Sequence, residues 1–133
     1  MGDNWPLVEI GSVSLAIYDG PHATPKKTEE GPIFLGISNL NQGRLDLSSV
    51  ERLSEADFLQ WTRRVAPRTN DLVFSYETRL GEVALIPEGL KCCLGRRLAL
   101  IRPDTSKIDP RFFLYYFLSP EFQNTIQKHS IQG

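Results

Sequence analysis

The apolar positions of this chain fall into short runs rather than long helical stripes. Leu72-Val73-Phe74, Val83-Ala84-Leu85-Ile86 and Leu98-Ala99-Leu100-Ile101 are bordered by Gly, Pro or charged residues. Short branched or aromatic runs with such borders predict buried strands. Polar turns from Ser75 to Gly81 and from Pro87 to Lys91, and the Arg96-Arg97 pair, separate them. The pattern therefore predicts a central sheet that holds up polar, partly basic loops, a common way to build a binding site.

The flanking segments add cover. Leu7 to Ile10 reads as a short strand or turn. Ser14 to Tyr18 reads as a strand stopped by Asp19-Gly20-Pro21, since Gly and Pro punctuate strands. Residues 19–32 hold three prolines and two glycines without apolar periodicity, which predicts a long loop of the functional kind. Ile33 to Ile37 reads as a buried strand, Ser38 to Gly43 as a turn, and Leu45, Leu47, Val50 and Leu53 as an irregular extended segment.

Ser54, with Asp57 three residues on, resembles a capping box and opens a helix over about residues 54–65. Phe58, Trp61, Thr62 and Val65 share its inner face, and Pro67 ends it. Asp109-Pro110 is a cap-and-proline start for another helix. Residues 111–118 are apolar almost all round, so this helix should be buried on several sides. Ser119-Pro120 repeats the signal and begins a second helix with Phe122 and Ile126 inward. The expected fold class is α+β: a strand-rich, mixed-sheet body with a mid-chain helix and a C-terminal helical pair.

Composition narrows the function classes. The chain has 133 residues, 41% hydrophobic and 23% charged, which suits one domain with a core and excludes wholesale disorder. No apolar stretch approaches the ~20 residues that span a bilayer. The opening residues lack a signal-peptide pattern, and Pro6 stands where a myristoylation site needs Ser or Thr. No membrane association and a cytoplasmic location are the expectation. Adjacent Cys92 and Cys93 make a poor disulfide pair and lack zinc spacing; they read as small apolar residues at a strand start.

Net charge is −1, but it is unevenly spread. Residues 1–62 carry four basic and nine acidic side chains, and residues 63–133 carry eleven and seven. A basic second half directs attention to a nucleic-acid face, with ordinary solvated faces as the alternative.

Catalysis finds no foothold. His22 and His129 stand outside any local motif, and there is no H-E-x-x-H, G-x-S-x-G, P-loop or G-x-G-x-x-G. No Asn/Asp-Pro-Pro-aromatic motif and no nuclease-like carboxylate–lysine triplet occurs either. No cofactor and no metal site is expected. Binding chemistry is better represented, in four polar clusters. They are Thr24, Lys26 and Lys27 with His22; Asn39, Asn41, Gln42 and Arg44; Ser75, Tyr76, Thr78 and Arg79; and Arg96 with Arg97. Asn and Gln pair bidentately with adenine, Arg with guanine, and Ser, Thr and Lys suit phosphates.

The order of segments resembles the target recognition domain of the specificity subunit of type I restriction–modification systems. The matching pieces are Trp5 to Val13, Thr24-Pro25-Lys26, Glu30 to Leu35 and Ile37-Ser38-Asn39-Leu40. They continue through Asp71 to Ser75, Gly81 to Ile86, Leu98 to Pro103, Asp109 to Tyr116, and Ser119-Pro120. Their number and order, across nearly the whole chain, carry the resemblance. In the turn after Ser75, Glu77-Thr78 stands where such domains usually have glycine.

The resemblance implies a non-catalytic module that reads half of a split site in duplex DNA. Its partners would be methyltransferase (modification) and restriction subunits. It also implies one target recognition domain over residues 1–133, a fragment without the spacer helix and second domain. Thr24, Lys26, Lys27, Asn39, Arg44, Ser75, Tyr76, Arg79, Arg96 and Arg97 are then the DNA-facing candidates. Lys26, Lys27 and Arg97 are cast on phosphates; Asn39, Arg44, Tyr76, Arg79 and Arg96 on bases. Two rivals remain open: a protein-interaction module (an assembly decoy or inhibitor), and a small hydrolase using His22 or His129.

Overall fold

In the computed structural model of the chain, residues 12–21, 23–76 and 82–124 are described. Strands β1 (Ser14–Asp19), β2 (Thr28–Leu35), β3 (Leu40–Asn41), β4 (Arg44–Leu45) and β5 (Glu51–Arg52) precede helix α1 (Glu55–Trp61). Then come β6 (Leu72–Ser75), β7 (Val83–Leu85), β8 (Cys92–Leu94), β9 (Leu98–Pro103) and helix α2 (Pro110–Leu118). Residues 120–124 are again helical.

The three apolar runs form one sheet, as their pattern predicts. Its order is β1-β9-β6-β7, antiparallel throughout. Both faces are covered over β6, β7 and β9, which is why these runs are continuous rather than alternating. On one face Val73, Ala84, Leu98 and Leu100 meet Ile33, Leu35 and Leu40. On the other, Leu72, Val83 and Ile101 meet Phe113, Leu114 and Phe117 of α2, with Phe122 beyond. A smaller sheet, β5-β2-β8, pairs β2 with β8 in parallel and packs Phe34, Leu53 and Cys93 against Phe58 and Trp61 of α1.

Several boundaries differ from the sequence reading. The long loop ends earlier, because β2 begins at Thr28. Thr28 pairs with Arg52, and a register break before Ile33 accommodates Gly31 at φ 127. The strand stops at Leu35, and Ile37–Asn39 forms a 3-10 turn instead of extending the strand. Leu40 and Asn41 pair with Leu45 and Arg44, so the expected turn is a small hairpin. Helix α1 ends at Trp61 rather than near residue 65, with Thr62 as its cap. Its start is as expected: the Ser54 side chain accepts from the Asp57 amide at 3.0 Å.

Helix α2 starts at Pro110, where Asp109 accepts from the Arg111 and Phe112 amides. It is not buried all round. Phe113 and Phe117 are nearly inaccessible, while Phe112 and Tyr115 are 57% and 67% exposed. The helix has the sheet on one side and solvent on the other. Phe122 is buried as expected; Leu7 to Ile10 and Ile126 lie outside the described residues.

Cys92 and Cys93 do open a strand, both buried. Burial pushes each thiol from an ordinary 9.0 up to about 12, the neighbouring Cys93 and Asp71 adding to the effect at Cys92. At pH 8 only about one thiol in 10,000 would then be thiolate, the nucleophilic form. An aromatic disulfide reagent is expected to label neither cysteine in the native chain and both in urea. Rapid native labelling would contradict this packing. Stability falls as pH rises from about 9 to about 12, because the unfolded chain releases thiol protons that the native chain keeps.

Candidate nucleic-acid interface

Antiparallel pairing decides which loops become neighbours. Asp19 pairs with Ala99, Ser75 with Leu98 and Phe74 with Val83. The C-terminal ends of β1 and β6 and the N-terminal ends of β7 and β9 therefore share one rim of the large sheet. Hydrogen bonds tie the loops along it: Gly20 N to Leu98 O at 2.8 Å, Tyr76 N to Arg97 O at 3.4 Å, Ser75 N to Glu82 O at 3.0 Å. Gln42 N then reaches Glu82 Oε1 at 3.1 Å, and Gly43 N reaches Val83 O at 2.9 Å. Three of the four polar clusters of the sequence thus contribute to one rim.

The Arg96-Arg97 turn is its most constrained part. It links β8 of the small sheet to β9 of the large one, so both ends are anchored. A side chain on Gly95 would collide with the Leu35 carbonyl, and one on Gly20 would come within 2.6 Å of the Gly95 carbonyl. Arg97 adopts φ 66, a left-handed conformation uncommon for a residue with a Cβ. Such strain persists only where the surroundings hold it. The turn therefore presents two guanidinium groups from a fixed backbone.

Because β2 and β8 run parallel, both leave their sheet at the same end. Gly36 and Ile37 after β2 lie beside Gly95, Arg96 and Arg97 after β8. Together with Thr24 and Phe34 they line a depression of about 260 Å³. Thr24, Lys26, Arg44, Arg96 and Arg97 are exposed, and Tyr76 is half-buried. Among the described residues, Lys26 and Arg96 have no carboxylate partner. Lys27 pairs with Glu51 at 2.9 Å, both well exposed, a pairing worth little in water.

Two candidates need correction. Asn39 is only 4% exposed. Its Oδ1 accepts from the Gly36 amide at 2.9 Å, and its Nδ2 donates to the Asp46 and Ser49 carbonyls. The amide is consumed in closing the loop after β2 and is not turned toward a base. Ser75 is 1% exposed at the end of β6, so it supports the rim from beneath. Arg79, with His22 and Thr78, lies outside the described residues.

Arg63 and Arg64, just beyond α1, went unremarked in the sequence. They line a second, larger depression on the same rim with Asp19, Gly20, Pro21, Ala23, Gln60, Trp61, Val65 and Leu94. The available signal was the Arg-Arg pair before Pro67. Among the described residues no group of His, Cys, Asp and Glu could hold a metal ion, and no helix is long and apolar enough to cross a membrane.

The fold is that of type I restriction–modification specificity subunits. It superposes on the HsdS subunit from Thermoanaerobacter tengcongensis with a TM-score of 0.64 and 22% identity, covering 91% of this chain and 28% of that one. A chain from a structure concerned with complex assembly and conformational transition of the type I R-M system gives 0.63 and 24%, covering 86% and 27%.

Curated relatives agree. The type I restriction enzyme EcoBI specificity subunit of Escherichia coli is 24% identical over 102 residues, 77% of this chain and 21% of that protein. The putative MjaX specificity subunit of Methanocaldococcus jannaschii is 25% identical over 120 residues, 85% and 27%. No protein-family model matches. The chain is thus related to type I specificity subunits and spans about a quarter of their length, which fits a target recognition domain of such a subunit.

Proposed function

We propose that the chain is a target recognition domain that reads a short half-site in duplex DNA, without catalysis of its own, in the cytoplasm. Partner methyltransferase and restriction subunits would do the chemistry. The observation that carries this reading is the rim itself. On a fold shared with specificity subunits, sequence-distant polar loops converge beside a rigid Arg96-Arg97 turn. Arg96 can reach a guanine edge in the major groove, while Lys26 and Arg97 suit phosphates. A net charge of −1 is compatible with this, since partner subunits can share the backbone contacts that dominate affinity.

The experiment is selection of bound sequences from a randomised duplex pool, with affinity of the enriched sequences followed against salt. A short, ungapped enriched motif supports a half-site reader. Absence of binding even at low salt would defeat the reading.

A further inference from the structure

We infer that Arg63 and Arg64 form a second row of phosphate contacts, so that the DNA backbone crosses the rim over the depression they line. This rests on the DNA-reading function proposed above and extends it to residues outside the four polar clusters. Three observations carry it.

The first is position. The depression has a volume of about 600 Å³ and is lined by Gly20, Pro21 and Ala23 together with Trp61, Arg63 and Arg64. Its lining is tied to neighbouring chain at two points. Gly20 packs against the Gly95 and Leu98 carbonyls, and Trp61 Nε1 donates to the Ala23 carbonyl at 3.3 Å. Gly20 thus borders both the depression lined by Arg63 and Arg64 and the chain that leads into the Arg96-Arg97 turn.

The second is charge. Arg63 and Arg64 are exposed and have no carboxylate partner among the described residues. Among the described residues, Asp19 is the only carboxylate in the lining. The half-buried arginines of the fold behave differently: Arg52 donates to the Gly31 carbonyl, and Arg102 is locked on Asp71. A helix C-terminus favours a nearby cation, but that does not call for two of them over an open trough.

The third is shape. The depression is open and flanks the rim, which suits a strand passing over it. Arginine's planar fork matches phosphate oxygens bidentately.

The test compares salt slopes. The Arg63→Gln/Arg64→Gln chain is measured beside the unaltered chain on the selected duplex and on a panel of single-base variants. Arg111→Gln, on the helix covering the other face of the large sheet, controls for the loss of one surface charge. Loss of one or two phosphate contacts should flatten the slope of log affinity against log salt by about 1 to 2. It should weaken binding about ten- to sixtyfold near 0.1 M salt. The ranking of base variants should stay the same, and Arg63→Lys/Arg64→Lys should restore the slope.

An unchanged slope with only a lower melting temperature would overturn the inference and assign the pair to the helix end. So would a slope change no larger than that of Arg111→Gln, a reordered base ranking, or a lysine pair that fails to restore the slope. A chain that binds no duplex at all would overturn the DNA-reading function first, and this inference with it.

Discussion

Asp71→Ala is expected to destabilise the chain by about 3–5 kcal/mol, the cost of leaving a buried charge without its partner. Asp71 is 2% exposed and sits just before β6. Its Oδ1 accepts from Arg102 Nε at 3.0 Å, and its Oδ2 from Arg102 Nη2 at 2.8 Å. The same carboxylate accepts from the Arg68 amide at 2.8 Å, while Arg102 Nη2 also reaches the Ala66 carbonyl at 3.0 Å. One side chain therefore fastens the segment after α1 to the far rim of the large sheet. Removing it strands a guanidinium whose side chain is only 13% exposed.

With a urea dependence of about 2 kcal/mol per M, the unfolding midpoint should fall by roughly 2 M. Adding Arg102→Met to Asp71→Ala should cost less than the two single changes together, by about 1–3 kcal/mol. A midpoint moved by less than half a molar unit in Asp71→Ala would show that the pair is not the fastening described.

That fastening was invisible in the sequence, and the reason is physical. Asp71 and Arg102 look like polar borders of apolar runs, and only the β6–β9 register, with Leu72 opposite Ile101, brings them together. Leu72 to Phe74, Val83 to Ile86 and Leu98 to Ile101 were legible because burial on both faces demands unbroken apolar runs. The first half of β2 was not, because Thr28, Glu29 and Glu30 are all exposed and carry no alternation. Its pairing with the two residues of β5 is a tertiary fact.

The same limit governs the site. The polar clusters were legible as composition, and the antiparallel sheet then gathers three of them on one rim. What composition cannot tell is which way an amide faces. Asn39 reads as a base contact until the Asp46 and Ser49 carbonyls are found on its Nδ2. Arg63-Arg64 carries no local motif, and only the fold brings the pair to a depression that Gly20, Pro21 and Ala23 also line. Arg97 was cast from its charge alone, whereas its φ of 66 shows how firmly the turn is set.

Arg96→Ala and Lys26→Ala are expected to weaken DNA binding in different ways, and the difference tests the division of labour on the rim. Arg96 projects from a turn clamped by Gly95 against the Leu35 carbonyl. A fork on a fixed backbone can select one base edge, and a good bidentate contact is worth about 1–3 kcal/mol of discrimination. Arg96→Ala should therefore lower affinity for the selected duplex about 5- to 150-fold, and variants at one base position should become nearly equivalent. Lys26 stands in the exposed run after Pro25, on a flexible stem that delivers a point charge. Lys26→Ala should weaken every duplex alike and flatten the salt slope by about 1. Affinities over a panel of single-base variants, at two or more salt concentrations, separate these patterns. If both variants lose affinity evenly across the panel, Arg96 touches only the backbone, and base reading must come from other loops of the rim.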